Sequence, residues 1–291
     1  MFGELPPRSF APQAHPEVFS LDALQAKLDE WKAYPKRFDM RALREHGYAD
    51  HEVAHFLLEN GEVRLLKLRI DTFVDLDAET AVDLVYADRF VPGCARTVLT
   101  HLDRFLDLDM TELAHALATS GRARMVVDNG ELFPRLNEQT AWCLLKEGYV
   151  EEVVASIDKF DTLNPDIARM LTGLGYGTLI LEQRQVFPKL DTSTIELLVN
   201  QGFAKEVAEQ ADTLTGFTND IARSFIRAGE VLTLADLIEH FSGLTNDVAL
   251  ALLDRHRGYV IRPQLKRFHD LSVVCANRLC DDVGMTADIV E

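Results

Sequence analysis

The chain has 291 residues, 47% hydrophobic and 26% charged, a balance that excludes wholesale disorder and can bury one large core or a long array of small ones. Asp and Glu number 47 against 30 Lys and Arg, a formal net charge of -17, and a field of that sign disfavours nonspecific attraction to nucleic acid or an anionic membrane. The four cysteines, Cys94, Cys143, Cys275 and Cys280, have no CxxC spacing, which sets aside a zinc knuckle and a disulfide framework and fits a reducing compartment.

Residues 1–19 are proline-rich with few apolar anchors, and are expected to form an extended arm. They hold no apolar core of signal-peptide length, and no run of about 18 uncharged apolar residues occurs anywhere; the expectation is a cytoplasmic protein with no membrane association. Ser20 to Tyr34 reads as an amphipathic helix and Asp39 to Gly47 as a short second one, together an N-terminal cap over residues 20–48.

From Ala49 onward the chain repeats. Units begin at Ala49, Leu76, Asp109, Leu136, Leu163, Leu190, Phe217 and Leu244, with a partial unit from Leu271; each full unit has 27 residues except the 33-residue unit at Leu76. Unit position 6 is alanine in every unit but the one with Ile195, and position 9 is leucine except at Phe225. Position 13 is glycine in six units, and position 25 is Phe73, Phe133, Phe160, Phe187, Leu214, Phe241 and Phe268. Position 2 (Asp50, Asp77, Asn137, Asn164, Asp191, Thr218, Thr245, Ser272) holds helix-capping types. A first helix therefore starts at position 3, with acids such as Glu79, Asp166 and Asp220 at position 4 favourable at its positive end. The glycine at position 13 suits a left-handed terminus. Apolar residues at positions 15, 18, 22 and 25 predict a second helix of similar length.

Such a unit cannot bury its own apolar face and must stack on its neighbours. The expected fold is an all-α, right-handed α/α-solenoid, with eight two-helix repeats over 49–270 and a partial repeat with a C-terminal cap over 271–291.

His51-Glu52-Val53-Ala54-His55 matches HExxH and resembles the zincin metalloprotease signature, which would make His51 and His55 zinc ligands and Glu52 a general base. The repeat offers a second account, in which Glu52 fills the acidic position 4 and Val53 and Ala54 fill core positions. The opening LNPDIARMLTGLGYG of the unit at Leu163 is similar, over about half a unit, to the first helix of TAL-effector-type DNA-binding repeats, sharing the Leu-polar-Pro-acid start and the glycine turn. That resemblance implies nucleic-acid binding, although the chain departs from the family in repeat length, in charge and in lacking a regular pair of base-reading residues.

Positions 7 and 11 of the first helices share a face and vary from unit to unit, so specificity is expected there. Tyr86, Trp142, Lys146, Arg169, Arg223 and Arg227 are the candidate partner-binding residues of this row, being aromatic or basic. Two further features stand out: the basic segment Arg255 to Arg267, with Pro263 in its second helix, and the extra residues Asp88 to Gly93 in the unit at Leu76. With no complete catalytic set, the leading expectation is a non-catalytic scaffold without a cofactor that binds a protein or peptide. The alternatives are a nucleic-acid-binding repeat protein, an acidic mimic of nucleic acid, and a zinc hydrolase at HEVAH.

Overall fold

The structure is a computed structural model that describes residues 21–283; the expected arm over 1–19 and the end of the expected C-terminal cap lie outside the described residues. The described residues are all-helical, without a strand, and divide into two compact units between Pro134 and Arg135. Within each, helices pack against their counterparts in the next repeat along the chain. Among the described residues no helix is long and apolar enough to cross a membrane.

The N-terminal pair is Leu21–Ala33 and Met40–Glu45, the second capped by Asp39, which accepts from the amides of Arg41 and Ala42 at 3.0 and 3.3 Å. Its core merges with the first repeat through rings: Trp31 meets Phe38 edge-on at 5.1 Å, and Phe38 stacks on Phe73 at 5.7 Å.

The first helices of the repeats are Asp50–Glu59, Ala78–Ala87, Met110–Leu117, Glu138–Lys146, Pro165–Gly173, Thr192–Asn200, Asn219–Arg227 and Asn246–Asp254, and Val273–Val283 opens the partial repeat. Asp77, Asn137, Asn164 and Asp191 cap theirs as expected. In three of these units a buried threonine at position 5 completes the cap. Thr80, Thr140 and Thr194 each give both amide and hydroxyl to the capping side chain, so the hydroxyl enters the core with its hydrogen bond made.

Every position-13 glycine adopts positive φ, from 75° at Gly61 to 98° at Gly175, and His256 takes the same conformation at 55°. The next residue then folds its amide back to the position-9 carbonyl, as in Tyr149 to Leu144 at 3.0 Å and Glu230 to Phe225 at 2.9 Å. This six-to-one bond is the Schellman closure.

Three expectations need correction. Thr218 and Thr245 hold the cap position without a side-chain hydrogen bond to their helices. Asp50 does not cap the first repeat: Ala49 occupies the cap position, and Asp50 is buried, gripped by Arg44 at 2.6 and 2.9 Å and by the amide of Val74 at 2.7 Å. The second helices are also much shorter than the first. Val150–Ala155 gives way to a 3-10 turn at Ile157–Lys159, Val231–Asp236 to one at Ile238–His240, and Gly258–Ile261 to one over Arg262–Arg267, with Pro263 at its start. Positions 22 and 25 are three residues apart, which is the 3-10 period and not only a helical one. The phenylalanine at position 25 ends the turn in extended backbone, and the linkers pair: Leu136 donates to Lys159 at 2.9 Å and Leu244 to Arg267 at 2.8 Å.

Candidate interaction face

The position-7 and position-11 side chains lie on the solvent side of the first helices, opposite the buried positions 6 and 9. In the second compact unit Trp142, Lys146, Arg169, Arg223 and Arg227 line this side. Trp142 is 37% exposed, and the Lys146 ammonium lies 4.9 Å from its ring centre, a cation resting on the electron-rich face. In the first compact unit Tyr86 is half-buried, and its hydroxyl is 3.3 Å from that of Thr119.

The arginines are not free cations. Arg169 reaches forward to Asp191 of the next repeat at 3.0 Å and back to Asp166 in its own helix. Arg223 does the same with Asp247 at 2.7 Å and Asp220 at 3.8 Å. Arg227 binds Glu196 of the preceding repeat at 2.9 Å and the Ser224 hydroxyl at 2.7 Å. His55 follows the same rule, with Nε2 at 2.8 Å from Asp77. Burial pushes the Asp247 carboxyl up, but the Arg223 guanidinium and the Thr245 hydroxyl outweigh it and hold the group below the usual carboxylate range. These pairs form an ion-pair zipper that joins the repeats at Leu163, Leu190, Phe217 and Leu244 in series, with a like pair between the first repeat and the second, and sequence reasoning did not find it.

Over this zipper lies an open cleft of about 490 Å³ lined by Glu196, Asp220, Arg223, Ile226, Arg227 and Asp247. Three successive repeats contribute to it. Three carboxylates face two guanidiniums, with Ile226 as the apolar patch.

In HEVAH, Glu52 accepts from the Ala49 amide at 3.2 Å, so its carboxylate closes a helix start, and His51 is exposed. Among the described residues the one group of three metal-capable side chains is His55, Asp77 and Glu79, without His51.

The inserted residues form a braced turn. Asp88 is buried, accepts from the Ala95 amide at 3.0 Å and pairs with Arg122. Lys67 donates to the Pro92 carbonyl, and Phe90 is left 78% exposed at the tip. The basic segment is partly consumed by structure: Arg267 donates to the Phe241 carbonyl at 2.9 Å, and Arg257 to the Tyr259 hydroxyl at 2.6 Å. Burial pushes the thiols of Cys143 and Cys275 up, away from the reactive thiolate.

Fold and face together define an all-helical protein of stacked two-helix elements with a charged, cross-linked outer row. No known family and no curated protein matches the chain.

Proposed function

We propose that the chain is a non-catalytic helical-repeat scaffold that binds a protein or peptide along the position-7 and position-11 row of its first helices. The observation that carries this reading is the cleft over Glu196, Arg223, Arg227 and Asp247, where both signs of charge flank the apolar Ile226. A peptide can answer such a lining with its own acid, base and apolar side chain. A phosphate backbone cannot, because the arginines already face carboxylates of the same row. Trp142 and Lys146 extend the row with a large aromatic surface of the kind that dominates binding energy at interfaces.

The test is selection of peptides from a random displayed library on the full chain, followed by affinity measurement. The selected peptides should combine an acid, a base and an apolar residue. Arg227→Ala should weaken them at least about tenfold, and Trp142→Ala should cost about 2 kcal/mol where the peptide reaches it. Equal binding by wild type and an Arg223→Ala, Arg227→Ala double variant would remove the cleft from the reading. Duplex DNA bound with a steep salt dependence would replace it with the nucleic-acid alternative.

A further inference from the structure

The row's ion-pair rule has one exception in chemistry though not in place. Arg169 at position 7 reaches Asp191 at position 2 of the next repeat, 3.0 Å away. In the first repeat the same two positions are His55 and Asp77, at 2.8 Å. A guanidinium can only donate, whereas a neutral imidazole offers a lone pair to a metal. The exposed Glu79 adds a third donor: single ligand atoms of His55, Asp77 and Glu79 all lie within 4.8 Å of one another.

Charge and support favour a cation here. Asp77, Glu79 and Asp83 all act electrostatically on His55, so even a protonated imidazole leaves negative charge in surplus. Asp77 divides its carboxylate: Oδ1 accepts from the Thr80 amide at 2.9 Å and the Thr80 hydroxyl at 2.7 Å, while Oδ2 faces the imidazole. Such outer bonds orient a ligating oxygen. Zinc-to-nitrogen and zinc-to-oxygen distances of about 2.0–2.2 Å set neighbouring ligand atoms roughly 3 Å apart, so His55 and Asp77 need little movement. The two side chains are 27% and 39% exposed, which leaves an entry path and room for water to complete the shell.

We infer that His55, Asp77 and Glu79 form a binding site for a divalent cation of zinc type, clamping the first repeat to the second. One imidazole with two carboxylates suits such borderline ions. The site shares His55 with HEVAH but uses neither His51 nor Glu52, and it needs no catalysis.

Isothermal titration of the chelator-treated full chain with zinc chloride tests this. The expected result is one saturable site per chain, together with a zinc-dependent rise in the thermal midpoint. His55→Arg rebuilds the pair seen at Arg169 and Asp191, so it should keep the fold, checked by circular dichroism, and lose the site. Glu79→Gln and Asp77→Asn, the second retaining a capping oxygen, should each weaken zinc by at least about tenfold, the scale reached even by outer-shell changes. His51→Ala should bind like wild type. Absence of a saturable site, full binding by His55→Arg, or loss of binding in His51→Ala would each overturn the assignment.

Discussion

At the scale of single residues, ion pairs of two kinds hold this chain, and they differ in what their loss costs. Asp50 and Asp88 are only 4% and 3% exposed, and each is met by an arginine and by a backbone amide. Burial pushes both carboxyls up, but these partners outweigh it and hold both below the usual range. Removing Asp50 strips Arg44 and the Val74 amide of their acceptor. Asp50→Ala should therefore cost about 3 kcal/mol in urea unfolding, the low end for a broken buried pair because Arg44 keeps some contact with water. Arg169 and Asp191 are half in solvent, so Arg169→Ala should cost less than about 1 kcal/mol, and its effect on binding can be read without a folding correction. The lowered carboxyls also fix a pH dependence. The unfolded chain binds protons near about pH 3.9, above the folded values, so this stabilisation is complete well above that pH and is lost as pH falls through the folded values. Between neutral pH and about pH 3, the urea midpoint of wild type should fall more steeply than that of Asp50→Asn.

Elements are set by the helix ends, where two glycines in one stretch of chain should respond oppositely to alanine. Gly148 has φ of 89°, and a methyl added there would meet nothing within 4 Å, so Gly148→Ala pays only for the left-handed backbone, about 1–2 kcal/mol. Gly173 is helical, and its added methyl would meet nothing nearer than Leu197 at 4.0 Å; Gly173→Ala should stabilise by about 0.5–1 kcal/mol. Paired denaturation curves check both signs. These glycines also mark what was legible in the sequence. The columns at positions 6, 9, 13 and 25 located the first helices and their ends, since each column answers to one local requirement. The second helix was overestimated because an apolar pair three apart fits a 3-10 turn as well as an α-helix. The Asp88–Arg122 pair was hidden because its partners are 34 residues apart and belong to different repeats. The zipper had a signal that went unread: position 7 faces positions 2 and 4 of the next repeat, 22 residues on for Arg169 and Asp191 and 24 for Arg223 and Asp247. The sequence row reads as about neutral or slightly positive, and what it does not display is that its arginines are each paired with a carboxylate of a neighbouring repeat.

For the whole molecule the question is whether charge helps or hinders the fold, because the zipper and the surplus of acid act in opposite directions. The net charge of -17 makes the compact state repel itself. Against that stand exposed pairs such as Arg169–Asp191, Arg223–Asp247 and Arg227–Glu196, each contributing about 1 kcal/mol or less. Salt screens both terms, since the Debye length shortens to about 10 Å at about 0.1 M and to about 3 Å at about 1 M. Contacts at 2.7–3.0 Å lie inside even the shorter length, whereas repulsion among surplus acids spread over many repeats acts across longer distances. Screening should remove more repulsion than attraction. The buried pairs of Asp50 and Asp88 are sheltered from ions and add little salt dependence. The thermal midpoint is accordingly expected to rise as sodium chloride goes from about 0.05 to about 0.5 M. A fall over that range would mean that the zipper contributes more than its exposed geometry allows, and the row would then have to be counted with the core as a determinant of folding.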